Sequence, residues 1–195
     1  MAADLKVLVD SIVANTAGLP DPQTLASWTP RLNGDIEIQI LSDGSWQHDG
    51  EPIRREGLVR LFASLLRREE DGDYYLVTPV EKWRIRVERH PLSVIDIQEQ
   101  RATEPSASGD VGSAVATTNW YALLNTGGRC LLGGANRLTP AGESGEPYLD
   151  LPNGLSAQLT RAAWYRLIES ASTDGQRAFI ISAGARVDLG AIADE

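Results

Sequence analysis

Residues 36–66, IEIQILSDGSWQHDGEPIRREGLVRLFASLL, change hydrophobic period partway along, and that change decides the fold class. Ile36, Ile38 and Ile40 alternate with Glu37 and Gln39, the two-residue repeat of a half-buried strand. Asp43-Gly44 turns the chain into a second strand, Ser45 to His48, which Asp49-Gly50 ends. From Ile53 the repeat is helical: Leu58, Leu61, Phe62, Leu65 and Leu66 form one stripe, with Arg60 and Arg67 opposite. The acidic run Glu69, Glu70, Asp71, Gly72, Asp73 stops this helix and starts a turn. Strands Tyr74 to Thr78 and Lys82 to Glu88 come next. In the second of them Trp83, Ile85 and Val87 face one way and Arg84 and Arg86 the other. Arg89-His90-Pro91 turns the chain into a return strand, Val94 to Arg101.

Upstream, Leu5, Leu8, Val9, Ile12 and Val13 recur at helical spacing between Asp4 and Gly18. Pro20, Pro22 and Pro30 then forbid a long helix, and Trp28 between them is the residue expected to pin the segment. Downstream, residues 102–113 are small and polar and read as a loop. Thr118 to Leu124 and Arg129 to Leu132 form a hairpin, residues 139–147 a second loop, and Tyr148 to Leu151 a short strand. A helix is expected from Ser156 to Ser170, with Leu159, Ala163, Leu167 and Trp164 inward. Asp174-Gly175 leads to strands Arg177 to Ser182 and Arg186 to Leu189. This divides the chain into an N-terminal helix and proline-rich segment (1–32), a first α+β half (33–101), a loop (102–113) and a second α+β half (114–195). Both halves run strand, turn, helix, Asp-Gly, two strands. A slide of 102 positions lays Trp46 on Tyr148, Ile53 on Leu155, Phe62 on Trp164 and Leu65 on Leu167, the sign of an internal duplication. Hairpins and single helices indicate an α+β class with mostly antiparallel sheets.

The run from Asp43 to Arg55, then Leu58 to Arg68, resembles a bacterial family catalogued as domain of unknown function 1285. Tyr75-Leu76-Val77-Thr78-Pro79-Val80-Glu81-Lys82 and Ile85-Arg86-Val87-Glu88 continue the likeness. In the second half Thr118-Asn119, Leu132-Gly133-Gly134, Pro147-Tyr148, Gly154-Leu155-Ser156-Ala157 and Thr160-Arg161 carry it on. The resemblance implies an α+β fold with repeated motifs, in the manner of pleckstrin-homology-like halves. It implies no established activity, and a place in bacterial signal transduction. The chain departs from the family at two turns. Arg89-His90-Pro91-Leu92 stands where the family tends to have acidic–Ala–Pro–aromatic, and Pro152-Asn153 stands where an arginine precedes the Gly-Leu.

The 195 residues carry 18 Lys+Arg against 27 Asp+Glu, a net charge of −9, which argues against generic nucleic-acid or anionic-lipid binding. A lone cysteine, Cys130, excludes an intramolecular disulfide and a multi-cysteine metal site. Asp4, Lys6 and Asp10 interrupt the apolar start, so no signal peptide is expected, nor a membrane span, and the expected location is the cytoplasm. His48 and His90 lack metal-ligand spacing, so neither a metal nor a cofactor is expected. Cys130 reads as a small buried hydrophobe. The Gly127-Gly128 and Gly133-Gly134 pairs match no phosphate loop, and no nucleophile elbow is present.

Arg54 and Arg55 are the most informative charges. They sit where a helix begins, an end whose dipole and free N–H groups favour anions. Either they complete a carboxylate or phosphate site, or Glu51 and Glu56 pair with them locally. Thr78 and Lys82, in the break Thr78-Pro79-Val80-Glu81-Lys82, are further polar candidates, and Trp46 and Trp120 the aromatic ones. The leading expectation is a non-catalytic bacterial binding or signalling module that holds an anionic small ligand or a partner in a cleft between the halves. The alternatives are a protein-interaction scaffold or homodimer paired through a strand edge, and an enzyme using His48, Asp49 or Glu81 as acid–base groups.

Overall fold

The alternation of isoleucines at 36, 38 and 40 becomes the buried face of a central strand, in which the three side chains are at most 4% exposed. The computed structural model describes residues 9–12, 14, 18–104, 115–140 and 145–191. The chain divides into two compact units: Met1–Leu92 with Pro152–Ser156, and Ser93–Leu151 with Ala157–Glu195. Among the described residues no helix is long and apolar enough to cross a membrane. Of the expected N-terminal helix, Val9 and Ile12 are helical and Ile12 is buried, while Leu5, Leu8 and Val13 lie outside the described residues.

Unit 1 holds helix α1 (Pro22–Ser27) and a six-stranded sheet. Its strands are β1 (Leu32–Ile40), β2 (Trp46–His48), β3 (Glu51–Pro52), β4 (Leu66–Arg68), β5 (Tyr74–Val77) and β6 (Lys82–Val87), with helix α2 (Glu56–Ser64) between β3 and β4. The order across the sheet is β3-β2-β1-β6-β5-β4. All neighbours are antiparallel except β1 and β6. The Asp43-Gly44 turn forms as expected: Gly44 takes φ +83, and Ser45 donates its N–H to the Asp43 carboxylate at 2.8 Å. The expected helix through Leu66 is shorter. It ends at Ser64, and Leu66 opens β4, because Leu65 and Leu66 are both fully buried. On a helix two neighbours point about 100° apart, whereas a break into extended chain lets each find its own apolar side. The Leu65 carbonyl then accepts the Val77 N–H at 2.9 Å, drawing the chain into the sheet.

Unit 2 contains a second six-stranded sheet, ordered β10-β11-β12-β7-β8-β9, and a three-stranded sheet, β13-β14-β15. The strands are β7 (Leu92–Glu104), β8 (Val115–Leu124), β9 (Arg129–Leu131), β10 (Leu138–Thr139), β11 (Tyr148–Asp150), β12 (Ser156–Leu159), β13 (Ser172–Asp174), β14 (Arg177–Ser182) and β15 (Ala185–Ala191). Three expectations change here. The return strand at 94–101, expected in the first half, is β7 and pairs along its length with β8 in unit 2. Residues 102–104 belong to that strand, and the remainder of the expected 102–113 loop lies outside the described residues. The helix expected from Ser156 is strand β12 followed by helix α3 (Arg161–Glu169). Ser156-Ala157-Gln158-Leu159 buries every second residue, a strand period, and the Thr160 hydroxyl accepts from Ala163 N–H to cap the helix. Strand β13 carries only exposed Ser, Thr and Asp, so no apolar repeat announces it.

The repeat survives with a corrected register. Trp46 and Tyr148 each open a three-residue strand, 102 positions apart. Strand β12 then pushes the second helix three residues later, so Phe62, seventh in α2, corresponds to Leu167, seventh in α3. Both side chains are fully buried. Leu65 corresponds to Ser170, and each ends its helix with φ near −100° and ψ 0°. The shift is recovered in the next hairpin, because residues 69–73 connect β4 to β5 but only residues 175 and 176 connect β13 to β14. Each helix is thus followed by a three-stranded antiparallel meander.

Within unit 2 the buried Ser182 hydroxyl accepts the Trp120 N–H at 3.1 Å, and Ala183 N–H donates to the Thr118 carbonyl. This seam joins the end of β14 to β8. The corrected register makes a paired prediction. Phe62→Ala should cost about 3–5 kcal/mol and Leu167→Ala about 2–5 kcal/mol, measured by denaturant unfolding. Trp164→Ala, at the position the uncorrected slide would choose, should cost less than Leu167→Ala.

Candidate functional site

Arg54 and Arg55 lie between the end of β3 and the first turn of α2, and both are exposed. Arg55 is the N-cap residue and makes no side-chain capping bond. By contrast, Asp21 caps α1 through Gln23 and Thr24, and Thr160 caps α3. The alternative of local pairing with Glu51 and Glu56 does not form. Glu56 reaches forward to Arg60 at 3.6 Å, and among the described residues no acid pairs with Arg54 or Arg55. The result is two guanidiniums without an acidic partner in that set, beside a helix start whose dipole favours an anion.

Thr78 and Lys82 are placed elsewhere and are already engaged. The Thr78 hydroxyl, 1% exposed, accepts from Val80 and Glu81 N–H groups and donates to the Glu81 carbonyl, closing the β5–β6 turn. Lys82 Nζ binds Glu69 at 2.8 Å and lies over the Tyr75 ring at 4.8 Å. Ile53 N–H bonds to the Trp46 carbonyl, and Trp46 pairs with Ile40, which pairs with Val87. Arg54 therefore starts from the Val87 end of β6 and Lys82 from the other, five residues and several strands apart, roughly 20 Å by strand rise and spacing. The sheet does not bring the four side chains together. Trp46 is a core residue at 2% exposure, stacked on Phe62 with ring centroids 6.0 Å apart. Trp120 is 7% exposed, on β8 of unit 2. Neither is placed as an open pocket wall.

The acid–base candidates are likewise dispersed. His48 Nδ1 lies 3.4 Å from the Asp49 carboxylate at the tip of the β2–β3 hairpin. Glu81 sits in the β5–β6 turn, where its carboxylate accepts from the Trp83 indole N–H at 3.4 Å. His90 Nδ1 is 2.8 Å from the hydroxyl of Ser156, the first residue of β12. Burial pushes the Cys130 thiol up to about 11, which keeps it protonated and poorly nucleophilic at neutral pH. No group of three or more His, Cys, Asp or Glu side chains among the described residues is arranged to hold a metal ion.

Sequence reasoning missed a charged network on the outer face of the unit 1 sheet. Arg67, Tyr75, Arg84 and Asp35 are in register across β4, β5, β6 and β1. Glu69 joins Arg67 at 2.6 Å to Lys82, Tyr75 donates its hydroxyl to Asp71 at 2.6 Å, and Arg84 binds Asp35 and Asp73. Burial pushes the Glu69 carboxyl up, but hydrogen bonds from Lys82 and Arg67 outweigh it and hold the group below the ordinary carboxylate range. The Tyr75–Asp71 hydrogen bond lowers Asp71 and raises Tyr75 to about 12. The signal was the alternation of Lys82, Arg84 and Arg86 against Asp35 and Glu37. It becomes readable only once β1 and β6 are known to be neighbours.

Residues 23–90 match the family described as Domain of unknown function (DUF1285), N-terminal domain. A DUF1285 family protein of Silicibacter pomeroyi DSS-3, known as a crystal structure, is 31% identical with a TM-score of 0.76, over 98% of this chain and 97% of that one. A second DUF1285 family protein, from Shewanella baltica OS155, is 27% identical with a TM-score of 0.49, over 68% of this chain and 91% of that one. Among curated proteins none matches.

The Tyr75–Asp71 bond predicts a defined pH response. Tyr75 is held above its ordinary 10.0, so its contribution is complete below pH 10 and is lost as pH rises toward 12. Asp71 is held below 3.8, so its contribution is present above that value and is lost as pH falls further. The stability difference between wild type and Tyr75→Phe should therefore be constant from pH 5 to 9 and shrink at both extremes. Denaturant midpoints across that range will check it, and a difference that grows above pH 10 would contradict the assignment.

Proposed function

The chain belongs to the DUF1285 family, and we propose that it is a non-catalytic binding module that takes an anionic small ligand at Arg54 and Arg55. The observation that supports this reading is the pair of exposed guanidiniums without an acidic partner among the described residues, beside the uncapped start of α2. Eight other arginines of the described chain are engaged: Arg60, Arg67, Arg84, Arg86, Arg101, Arg166, Arg177 and Arg186 each hold a carboxylate. A phosphate or carboxylate at Arg54 and Arg55 would gain two charge-assisted contacts and the positive end of the helix. Thr78 and Lys82 stand outside this contact because their polar atoms serve the β5–β6 turn and Glu69. A role in bacterial signal transduction, in the cytoplasm, is the setting we assign to such a module.

The test is a calorimetric titration with pyrophosphate, paired with thermal melting. Wild type should bind, and Arg54→Gln/Arg55→Gln should weaken binding by at least about tenfold while melting within a few degrees of wild type. Equal binding by both proteins, or no binding by wild type, overturns the reading. A large loss of melting temperature would make the arginines structural.

A second reading, as a protein-interaction surface or homodimer, has support in unit 2. Tyr165 and Ile168, three apart on α3, are 57% and 37% exposed. On that reading the chain forms a concentration-dependent dimer in sedimentation analysis, and Tyr165→Lys abolishes it.

A further inference from the structure

We propose that residues Asp21–Trp28 form a strap that opens from the outer face of the unit 1 sheet without unfolding the sheet, and that Arg67 is its catch. The strap is locally self-sufficient. The Asp21 carboxylate accepts from Gln23 and Thr24 N–H groups and from the Thr24 hydroxyl, and Leu25 N–H returns to the Asp21 carbonyl. Its six-residue helix nevertheless falls far short of the roughly 12–15 residues that an isolated helix needs, so docking holds it in place. Pro20 and Pro30 flank it, Pro22 is its first helical residue, and the strap contributes no strand to the sheet ladder.

The attachments are few and specific. Leu25 is the one buried residue of α1, and it packs with Tyr75 and Val77, with Trp28 beside them. Arg67 Nη1 donates to the carbonyls of Leu25, at 3.2 Å, and Trp28, at 2.9 Å. Asn153 Nδ2 donates to the Pro22 carbonyl at 3.2 Å. Arg67 does not depend on the strap for its own position, because Nη2 is fixed on Glu69, which Lys82 holds from the other side. Its Nε is buried without a partner, so the docked strap leaves one donor of the catch unsatisfied.

Opening uncovers Tyr75 and Val77, an apolar strip flanked by Arg67 and Lys82, while every hydrogen bond of the β4–β5–β6 ladder stays in place. The strap thus acts as a self-ligand, offering a leucine, a tryptophan three residues later and two helix-end carbonyls to one guanidinium. Segments of this kind, with little buried apolar surface, open below the free energy of global unfolding.

Amide hydrogen exchange on the full chain tests this. In wild type the Leu25 and Trp28 amides should exchange at least about 100-fold faster than the Val77 amide after correction for intrinsic rates, with no dependence on low denaturant. In Arg67→Gln they should accelerate by about tenfold or more while Val77 changes less than about twofold. If Arg67→Gln fails to fold, Leu25→Ala, which alters the strap alone, should give the same selective acceleration. Equal protection of strap and Val77 amides in wild type, or equal acceleration of both in a folded variant, overturns the proposal.

Discussion

Two adjacent leucines that must both be buried, Leu65 and Leu66, fix the course of unit 1. On a continuing helix these neighbours would point about 100° apart, whereas extended chain sends them to opposite sides, and α2 stops and β4 begins between them. That handover sets the positions of the charges beyond it. Leu66 faces the core, so Arg67 faces outward, and from there it reaches the C-terminal end of α1 and the Glu69 carboxylate. Glu69 in turn captures Lys82, which removes that ammonium from the set of free cations. Arg54 and Arg55 lie at the opposite end of the same helix, where no acid among the described residues engages them. The contrast between engaged and free cations in this unit thus stems from where one helix begins and ends.

The elements that could be read directly are those whose residues repeat with one period and break with a glycine. The Ile36-Ile38-Ile40 strand, the Asp43-Gly44 hairpin, the α2 start and the Arg177–Ser182 strand belong to this group. Misreadings arise where two periods fit the same letters. Leu61, Phe62, Leu65 and Leu66 satisfy a helix to the end, and the Val77 N–H on the Leu65 carbonyl and the pairing of Leu66 with Leu76 show that the chain has left it. Ser156 to Leu159 joins smoothly to a helical pattern, yet its neighbours supply strand partners, with Leu159 N–H on the Pro147 carbonyl and Thr160 N–H on the Val94 carbonyl.

The candidate site was legible to a similar degree. Charge type and position along the chain place Arg54 and Arg55 beside a helix start, because that feature is local. Thr78, Lys82, Trp46 and Trp120 required knowledge of distant neighbours. Trp46 is buried because α2 brings Phe62 against it, and Lys82 is engaged because β4 brings Glu69 alongside. Parallel pairing of β1 with β6, between strands more than 40 residues apart in sequence, places Asp35 beside Arg84, and no local pattern announces it.

Unit 1 is not finished by its own stretch of sequence. Residues Pro152–Ser156 return to it, where the Asn153 carbonyl accepts the Arg68 N–H of edge strand β4. Gly154, at φ +69, lets its backbone approach so closely that a β-carbon would sit 3.0 Å from the Arg68 carbonyl oxygen. As the chain leaves the ribosome, the β4 edge is therefore synthesised some 80 residues before the segment that covers it. During that interval the growing polypeptide carries an open strand edge, and a fragment cut after residue 92 carries it permanently.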